Sequence, residues 1–538
     1  MNFPRPLSCL ALTAFLTGPL LASGTAPDGG ELYRQHCAIC HGAEGQGIPG
    51  VFPPLAGSDF LEHQRERALK APLEGLFGKI TVNGREYQGG MPPVILRDEQ
   101  IASVFAHVYG SWGNKGAAPK VEEIKTLRSQ SKYPTYEALV ASMVSSQLPT
   151  APQGWTLKVA AEFSFSPVRL ATHPDGEHVL ILAQNGDIWQ WKVGTQEQKL
   201  LFPRDTYFDL ALGDVLALGL TVDKEGRLYV TSNQCNKKKT PVANEVTVFR
   251  TGAWAAEKGG GWTKPESWLR VTYPFGIGPY NHGVSHIAQG PDGMMYINSG
   301  ARTDGGEPGK QPNYDTGGEN ELTACMWRVD PAQDKPQVEV IARGLRNSFG
   351  FCWDDEGRMI ATENGPDAEA PEELNVIEPG KHYGFPYQFA DWTEKAYPHT
   401  PDLPAGIVVK KPLRNIGPDA GGSAEKGKSI STFDPHSCPS GIVWLGKDWP
   451  APLGGSFLAA RFGNLIKADS GYDVLQMRPD FEAGTTSLKR LLAPLGRPID
   501  VLKLPGHRLL IAEYCRGTNL AAGIGTPGRV LVLEPVAR

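Results

Sequence analysis

Cys37-Ala38-Ile39-Cys40-His41 constrains this chain more than any other stretch. Two thiols separated by two residues and followed at once by an imidazole are what covalent attachment of a c-type haem requires: each sulfur closes a thioether on a vinyl group, and the imidazole reaches the iron. A CxxC pair alone is equally a redox dithiol or half a zinc site, and the adjacent His separates these. Cys37 and Cys40 are therefore expected to carry haem c, with His41 as iron ligand. The second axial ligand is sought in a thioether outside any helical pattern. Gly89-Gly90-Met91-Pro92-Pro93, with Met91 fifty residues after His41, offers one in an irregular loop long enough to cross the other haem face. Its glycine and proline flanks weaken the alternative that Met91 merely fills a core gap. His/Met ligation gives an electron-transfer haem with no open position for oxygen.

Together with Pro53-Pro54-Leu55-Ala56-Gly57-Ser58, this span resembles class I cytochrome c domains from about Gly30 to Trp112. A helix from Glu31 to His41 is expected to deliver the haem site. A closing helix N-capped by Asp98 is expected to place Ile101, Val104, Phe105 and Val108 on one face. Gly113-Asn114-Lys115-Gly116-Ala117-Ala118-Pro119 then marks a domain edge, followed by a polar, partly helical connector.

Ahead of the haem motif, Arg5 precedes a mostly apolar run from Leu7 to Leu21 and the small residues Ala22-Ser23-Gly24-Thr25-Ala26. That is the pattern of a cleaved secretory signal, too short and too interrupted for a membrane anchor. Haem attachment to CxxCH takes place outside the bacterial cytoplasmic membrane, so the two signals agree on a periplasmic or secreted protein. No second long apolar segment occurs, and no transmembrane segment is expected in the mature chain. The net charge of −5 without basic runs gives no electrostatic footprint for nucleic acid. Of eight cysteines, Cys9 leaves with the signal and two take the haem. Cys235, Cys325, Cys352, Cys438 and Cys515 allow at most two bridges, whose pairing is not legible from one sequence.

From about Thr150 one pattern recurs: a turn ending in glycine, then a short apolar β-rich run. The turn glycines are Gly176, Gly226, Gly293, Gly357, Gly455 and Gly506. Six such hairpins predict a six-bladed β-propeller. The wide interval between Gly357 and Gly455 leaves room for a seventh blade or a long insertion. Pro401 to Ser429, rich in Pro, Gly and Lys and poor in strand signal, favours the insertion. The expected organisation is a signal at 1–26, a small all-α cytochrome c domain at 27–115, a linker at 116–150 and an all-β propeller at 151–538.

Polar residues stand where a purely structural blade would want apolar ones in Gly344-Leu345-Arg346-Asn347-Ser348-Phe349-Gly350, Glu363-Asn364-Gly365-Pro366-Asp367 and Asn281-His282-Gly283. These stretches resemble the pyrroloquinoline quinone (PQQ)-dependent sugar dehydrogenases, the family of soluble glucose, aldose sugar and L-sorbosone dehydrogenases, over roughly Val168 to the C-terminus. The resemblance implies His282 as catalytic base, eight residues before Gly290 of a Gly-Pro-Asp turn. It also implies that Arg346 and Asn347 hold the quinone and the sugar oxygen, and that the Gly365 and Pro366 carbonyls bind calcium. Arg461 stands where the family has a lysine on a quinone carboxylate, and Arg497 where it has the first of two arginines. The second arginine is replaced by Ile499, and Gly213-Asp214-Val215-Leu216-Ala217-Leu218-Gly219 lacks the glutamine of glucose-oxidising members. His436-Ser437-Cys438-Pro439-Ser440-Gly441 is closer to the sorbosone branch.

Physical reasons stand beside the resemblance. PQQ is a flat trianion that arginine forks suit, calcium takes oxygen ligands such as carbonyls, and a neutral imidazole can accept a hydroxyl proton at neutral pH. The expected function is a quinohaemoprotein that oxidises a sugar, polyol or related alcohol or aldehyde and passes electrons through haem to a downstream redox protein. Two other readings compete: a catalytically inactive propeller that binds carbohydrate or protein, for which Ile499 speaks, and a cytochrome cd-type nitrite reductase, which needs eight blades.

Overall fold

The computed structural model describes residues 28–48, 52–143, 148–213, 215–256, 260–276, 281–307, 313, 315, 317–392, 395–419, 431–464, 470–516 and 528–536. The expected signal at 1–26, together with Cys9, lies outside these residues, as do Asp214 and 420–430 of the insertion. The chain divides into two compact units, Met1–Ala138 and Leu139–Arg538.

In the first unit a helix at Gly29–His36 stops at Cys37 and resumes for one turn at Ala38–His41, so the haem motif sits on a helical corner. Tyr33 is fully buried and its hydroxyl donates to the Gly42 carbonyl (2.7 Å), pinning the first helix to the residue after the motif. Short helices at Asp59–His63 and Arg65–Glu74 lead to a closing helix at Asp98–Tyr109. That helix buries Ile101, Val104, Phe105 and Val108 as its 3.6-residue period requires. Its N-cap is Arg97, not Asp98. The Gln100 side-chain oxygen accepts the Arg97 N–H (2.9 Å), and Asp98, one residue inside, is free to pair with Arg128 (2.5 Å). Arg128 belongs to a helix at Val121–Ser129 that adds Ile124 and Leu127 to the first core, so the beginning of the expected linker packs as part of the cytochrome unit.

The second unit contains six sheets among the described residues. In chain order their first strands are Pro167–Thr172, Val215–Val222, Val284–Gln289, Gly350–Trp353, Pro439–Leu445 and Pro498–Leu504. All six turn glycines lie between the first and second strand of a blade, with φ between +65° and +83°, a region that residues with a Cβ enter at a cost. The strands they feed are almost wholly buried, as in His178–Ala183 and Ser456–Arg461. Six apolar clusters bind each blade to the next, and one of them joins the sixth to the first through Leu510, Ala512 and Val530 against Val168, Leu170 and Val179. The sixth blade takes its outer strand, Trp155–Glu162, from the start of the unit, where it pairs antiparallel with Arg529–Pro535. The architecture is a six-bladed propeller, and the eight-bladed nitrite reductase reading falls with it. The insertion before the fifth blade is not devoid of strand: Arg414–Pro418 pairs parallel to Thr485–Leu492 at that blade's outer edge.

Arg169 and Asp500 sit on the innermost strands, and sequence reading missed both. Arg169 is 1% exposed and spans the middle of the ring. Its guanidinium donates to Asp500 of the sixth blade (3.2 Å), to the Leu218 carbonyl of the second (3.1 Å) and to the Phe349 carbonyl beside the fourth (3.1 Å). A charged residue inside Pro167-Val168-Arg169-Leu170-Ala171 was the available signal.

Candidate functional sites

In the first unit Cys37, Cys40, His41, Pro53 and Met91 line one cavity of about 190 Å³, otherwise walled by apolar residues such as Leu55, Leu61, Ile80, Val94, Ile101 and Phe105. The His41 Nδ1 lies 2.9 Å from the Pro53 carbonyl. A carbonyl only accepts, so Nδ1 carries the proton and Nε2 is left with its lone pair, the tautomer a metal-ligating imidazole needs. Two thiols, that imidazole and a thioether around an apolar cavity fit haem c and leave no polar demand unmet. Met91 departs from expectation in one respect. It is not in an irregular loop but ends the strand Arg85–Met91, paired with Leu76–Val82 in the register Leu76↔Met91. Glycines make that hairpin possible: Gly78 faces Gly89, and a Cβ on Gly90 would lie 2.7 Å from the Phe77 ring. Pro92 and Pro93, which lack the N–H a ladder needs, stop the strand at the thioether. Met91→Ala is expected to keep covalent haem and to lower the reduction potential, because thioether ligation raises it. An unchanged potential with the sulfur-to-iron absorption band intact would exclude Met91 as ligand.

In the propeller His282, Arg346, Asn347, Gly365, Pro366 and Arg497 come from connections between a blade's last strand and the next blade's first, or between second and third strands, while Arg461 ends the fifth blade's second strand. These all lie at the end of the blades opposite the glycine turns. Direct contacts link them. The His282 N–H donates to the Ala301 carbonyl (3.0 Å) and the Ala301 N–H to that of Arg346 (2.6 Å), which sets the imidazole beside the Arg346 chain. Burial and the Arg346 charge push the His282 imidazole well below its usual range, and its Nε2 is buried without a hydrogen-bond partner. Arg346 is held by Asp304 (2.6 Å), which sequence reading missed, and by the Asn364 carbonyl (3.1 Å) immediately before Gly365. Tyr397, from the long insertion, donates its hydroxyl to the same Asp304. The Asn347 carbonyl accepts the Asn364 backbone N–H (3.1 Å).

Gly365 and Pro366 open a loop that curls back on itself: a Cβ on Gly365 would meet the carbonyl oxygens of Ala370 and Pro371, each at 3.4 Å. The loop ends at buried Glu372, whose carboxyl is pushed up to about 8 by burial. Glu372 accepts from the Ser437 hydroxyl (2.8 Å). Ser437 lies between His436 and Cys438, both non-glycine residues in the left-handed region at φ +58° and +52°. Backbone of this kind persists only where surroundings hold it. Here Phe462 N–H and Gly463 N–H bind the Cys438 and Ser437 carbonyls at 2.9 Å each.

The two remaining arginines differ. Arg461 is fully buried with its fork on Asp473 (2.8 and 2.7 Å) and its third nitrogen 3.4 Å from Asp434, so its charge is already met by carboxylates. Arg497, equally buried, donates to the Gly463 carbonyl (3.0 Å) and more weakly to those of Phe462 and Asn464. Among the described residues no carboxylate is hydrogen-bonded to it, and its Nε has no partner. A buried cation without a counter-charge fits an anionic ligand, and the neutral imidazole of His282 keeps a ring nitrogen free for a polar one. Ile499 lies elsewhere, 7% exposed in the apolar cluster between the sixth and first blades.

Two family models match the chain: glucose / sorbosone dehydrogenase over residues 165–409, and cytochrome C oxidase, cbb3-type, subunit III over 24–108. Cytochrome c-552 of Thermus thermophilus is 44% identical over 133 residues, 23% of this chain and 88% of that protein. The cytochrome c subunit of an alcohol dehydrogenase (quinone) from Gluconacetobacter polyoxogenes is 31% identical over 115 residues, 18% of this chain and only 22% of that subunit. A glucose dehydrogenase crystal structure superposes with a TM-score of 0.51 at 15% identity, covering 71% of this chain and all of that one, which supports the fold alone. The chain thus belongs to the cytochrome c family through its first unit and joins to it, in the second, a propeller domain of the glucose/sorbosone dehydrogenase family.

Proposed function

We propose that this protein is a quinohaemoprotein dehydrogenase acting outside the cytoplasmic membrane, which oxidises a sugar or a related alcohol or aldehyde with PQQ and passes the electrons to its own haem c. The observation that carries this reading is the pair of buried nitrogens without partners, His282 Nε2 and Arg497 Nε, at the polar end of the propeller. When bound there, PQQ would supply a two-electron acceptor, and haem c a one-electron carrier suited to emptying it. Arg497, with its uncompensated charge, and Arg346 would hold the quinone, and Asn347 would orient the substrate oxygen. The carbonyls of Gly365 and Pro366 would hold calcium. Arg461, occupied by Asp473, would act through its field. His282, neutral at pH 7, would take the hydroxyl proton of the substrate. Among the described residues no helix is long and apolar enough to cross a membrane. The competing picture of a purely binding propeller rests on the arginine that Ile499 replaces, and quinone-dependent turnover is what separates the two readings.

The test is to load the protein with PQQ and calcium, add candidate sugars, polyols and aldehydes anaerobically, and follow the haem absorbance. A working substrate should reduce the haem at a rate independent of protein concentration, because the two units share one chain. Haem reduction that scales with protein concentration would show that the cytochrome serves other molecules. The absence of any quinone-dependent reduction across the panel would remove the dehydrogenase reading. Chelation should release quinone, and calcium with PQQ should restore activity. Equal quinone binding in excess chelator would contradict the Gly365/Pro366 site.

A further inference from the structure

At the opposite end of the propeller, the first blade's turn departs from a device that the second and fourth blades share. In the second blade Asp223 opens the turn and its carboxylate takes both the Arg227 N–H (2.8 Å) and the Arg227 Nε (2.7 Å). In the fourth, Asp354 does the same for Arg358, at 2.9 and 2.7 Å. The first blade has His173 where those have aspartate and Glu177 where they have arginine, so the closing ion pair cannot form. Three other groups converge there instead. His173 Nδ1 lies 3.0 Å from Asp175 Oδ1, His178 Nδ1 lies 2.7 Å from Asp175 Oδ2, and one ligand atom from each residue lies within 4.8 Å of the others.

Asp175 Oδ1 already accepts the N–H groups of Glu177 (2.9 Å) and His178 (3.0 Å). His173 Nδ1 lies within reach of both the Asp175 N–H (3.2 Å) and Asp175 Oδ1 (3.0 Å), and one ring nitrogen serves only one of them, as acceptor or as donor. The His173 ring is fixed edge-on between Trp262 and Trp254, with centroids at 4.7 and 5.4 Å, while Asp175 and His178 are partly open to solvent, so an ion can enter and complete its shell with water.

We propose that His173, Asp175 and His178 form a site for one divalent transition-metal ion of the zinc class, which closes the first blade's turn where the second and fourth blades use an aspartate–arginine pair. Two imidazoles and one carboxylate are donors for Zn²⁺, Ni²⁺ or Cu²⁺; Ca²⁺ prefers oxygen alone. The site is independent of the redox assignment, and its test does not use activity. Full-length haem-loaded protein, kept in excess calcium and freed of transition metals, is titrated with Zn²⁺ by calorimetry, and bound metal is counted after gel filtration. One equivalent is expected, with a rise in the melting temperature of the propeller. Asp175→Asn and His178→Ala should weaken the binding at least ~10-fold, the usual scale for losing a group from a metal site, while Glu177→Gln should leave it unchanged. Asp175→Asn keeps an oxygen for the turn's N–H groups and serves should His178→Ala misfold. Wild type that takes up no stoichiometric Zn²⁺, or variants that bind it as tightly as wild type, would overturn the site.

Discussion

His282→Ala is expected to slow substrate-driven haem reduction by about two to four powers of ten, the usual worth of a general base, while dithionite still reduces the haem at the wild-type rate. The separation of the two readouts matters: the first depends on proton removal in the propeller and the second only on the cytochrome. The buried imidazole, depressed by its surroundings and by Arg346, stays neutral as pH falls through the range where an exposed histidine gains its proton. The acid limb of the wild-type rate should therefore lie below pH ~6.5. The same shift acts against stability in acid: below about pH 6.5 the unfolded chain binds a proton that the native site refuses, so stability falls from there downward until the native imidazole is itself protonated. Normal turnover by the variant with a substrate that works on wild type would remove His282 from the mechanism.

Asp500→Ala is expected to destabilise the propeller by about 3–5 kcal/mol, the cost of stranding a buried charge. Arg169 would keep its carbonyl partners but lose its counter-ion at the centre of the ring. The Leu170 N–H, which donates to Asp500 at 2.8 Å, would lose its acceptor as well. Denaturation followed by tryptophan fluorescence should shift while the haem Soret transition does not. The double variant Arg169→Met with Asp500→Leu removes both charges and should recover much of the loss, since apolar replacement of a whole buried pair is often neutral. A single variant as stable as wild type would mean that water already reaches the middle of the ring.

What the sequence disclosed follows from how local each requirement is. The haem motif is five consecutive residues because two thioethers and one iron bond dictate that spacing, and the six turn glycines are each needed by one φ angle. Both survived contact with the structure. The partners of the site residues did not show in advance. Arg169 and Asp500 are 331 positions apart, and Arg346 meets Asp304 only because the third blade's loop passes beside the fourth. Arg461 and Arg497 look alike as sequence, yet one is neutralised by Asp473 and the other faces carbonyls. Met91 was mistaken for loop because glycines and prolines read as irregular backbone. The strand partner that orders them, Leu76–Val82, carries its own glycine opposite theirs.

The strand that completes the sixth blade comes from the start of the propeller and pairs with its very end. Until Arg529–Pro535 exists, Trp155–Glu162 has no neighbour to bond, and closing the ring means joining segments separated by nearly the whole length of the unit, a slow kind of contact to make. The cytochrome, synthesised first and held together by its own core, has no such wait. The first unit can thereby complete its fold while the propeller is still an open arc. The apolar crevice of the first unit can thus be complete before the ring of the second has closed.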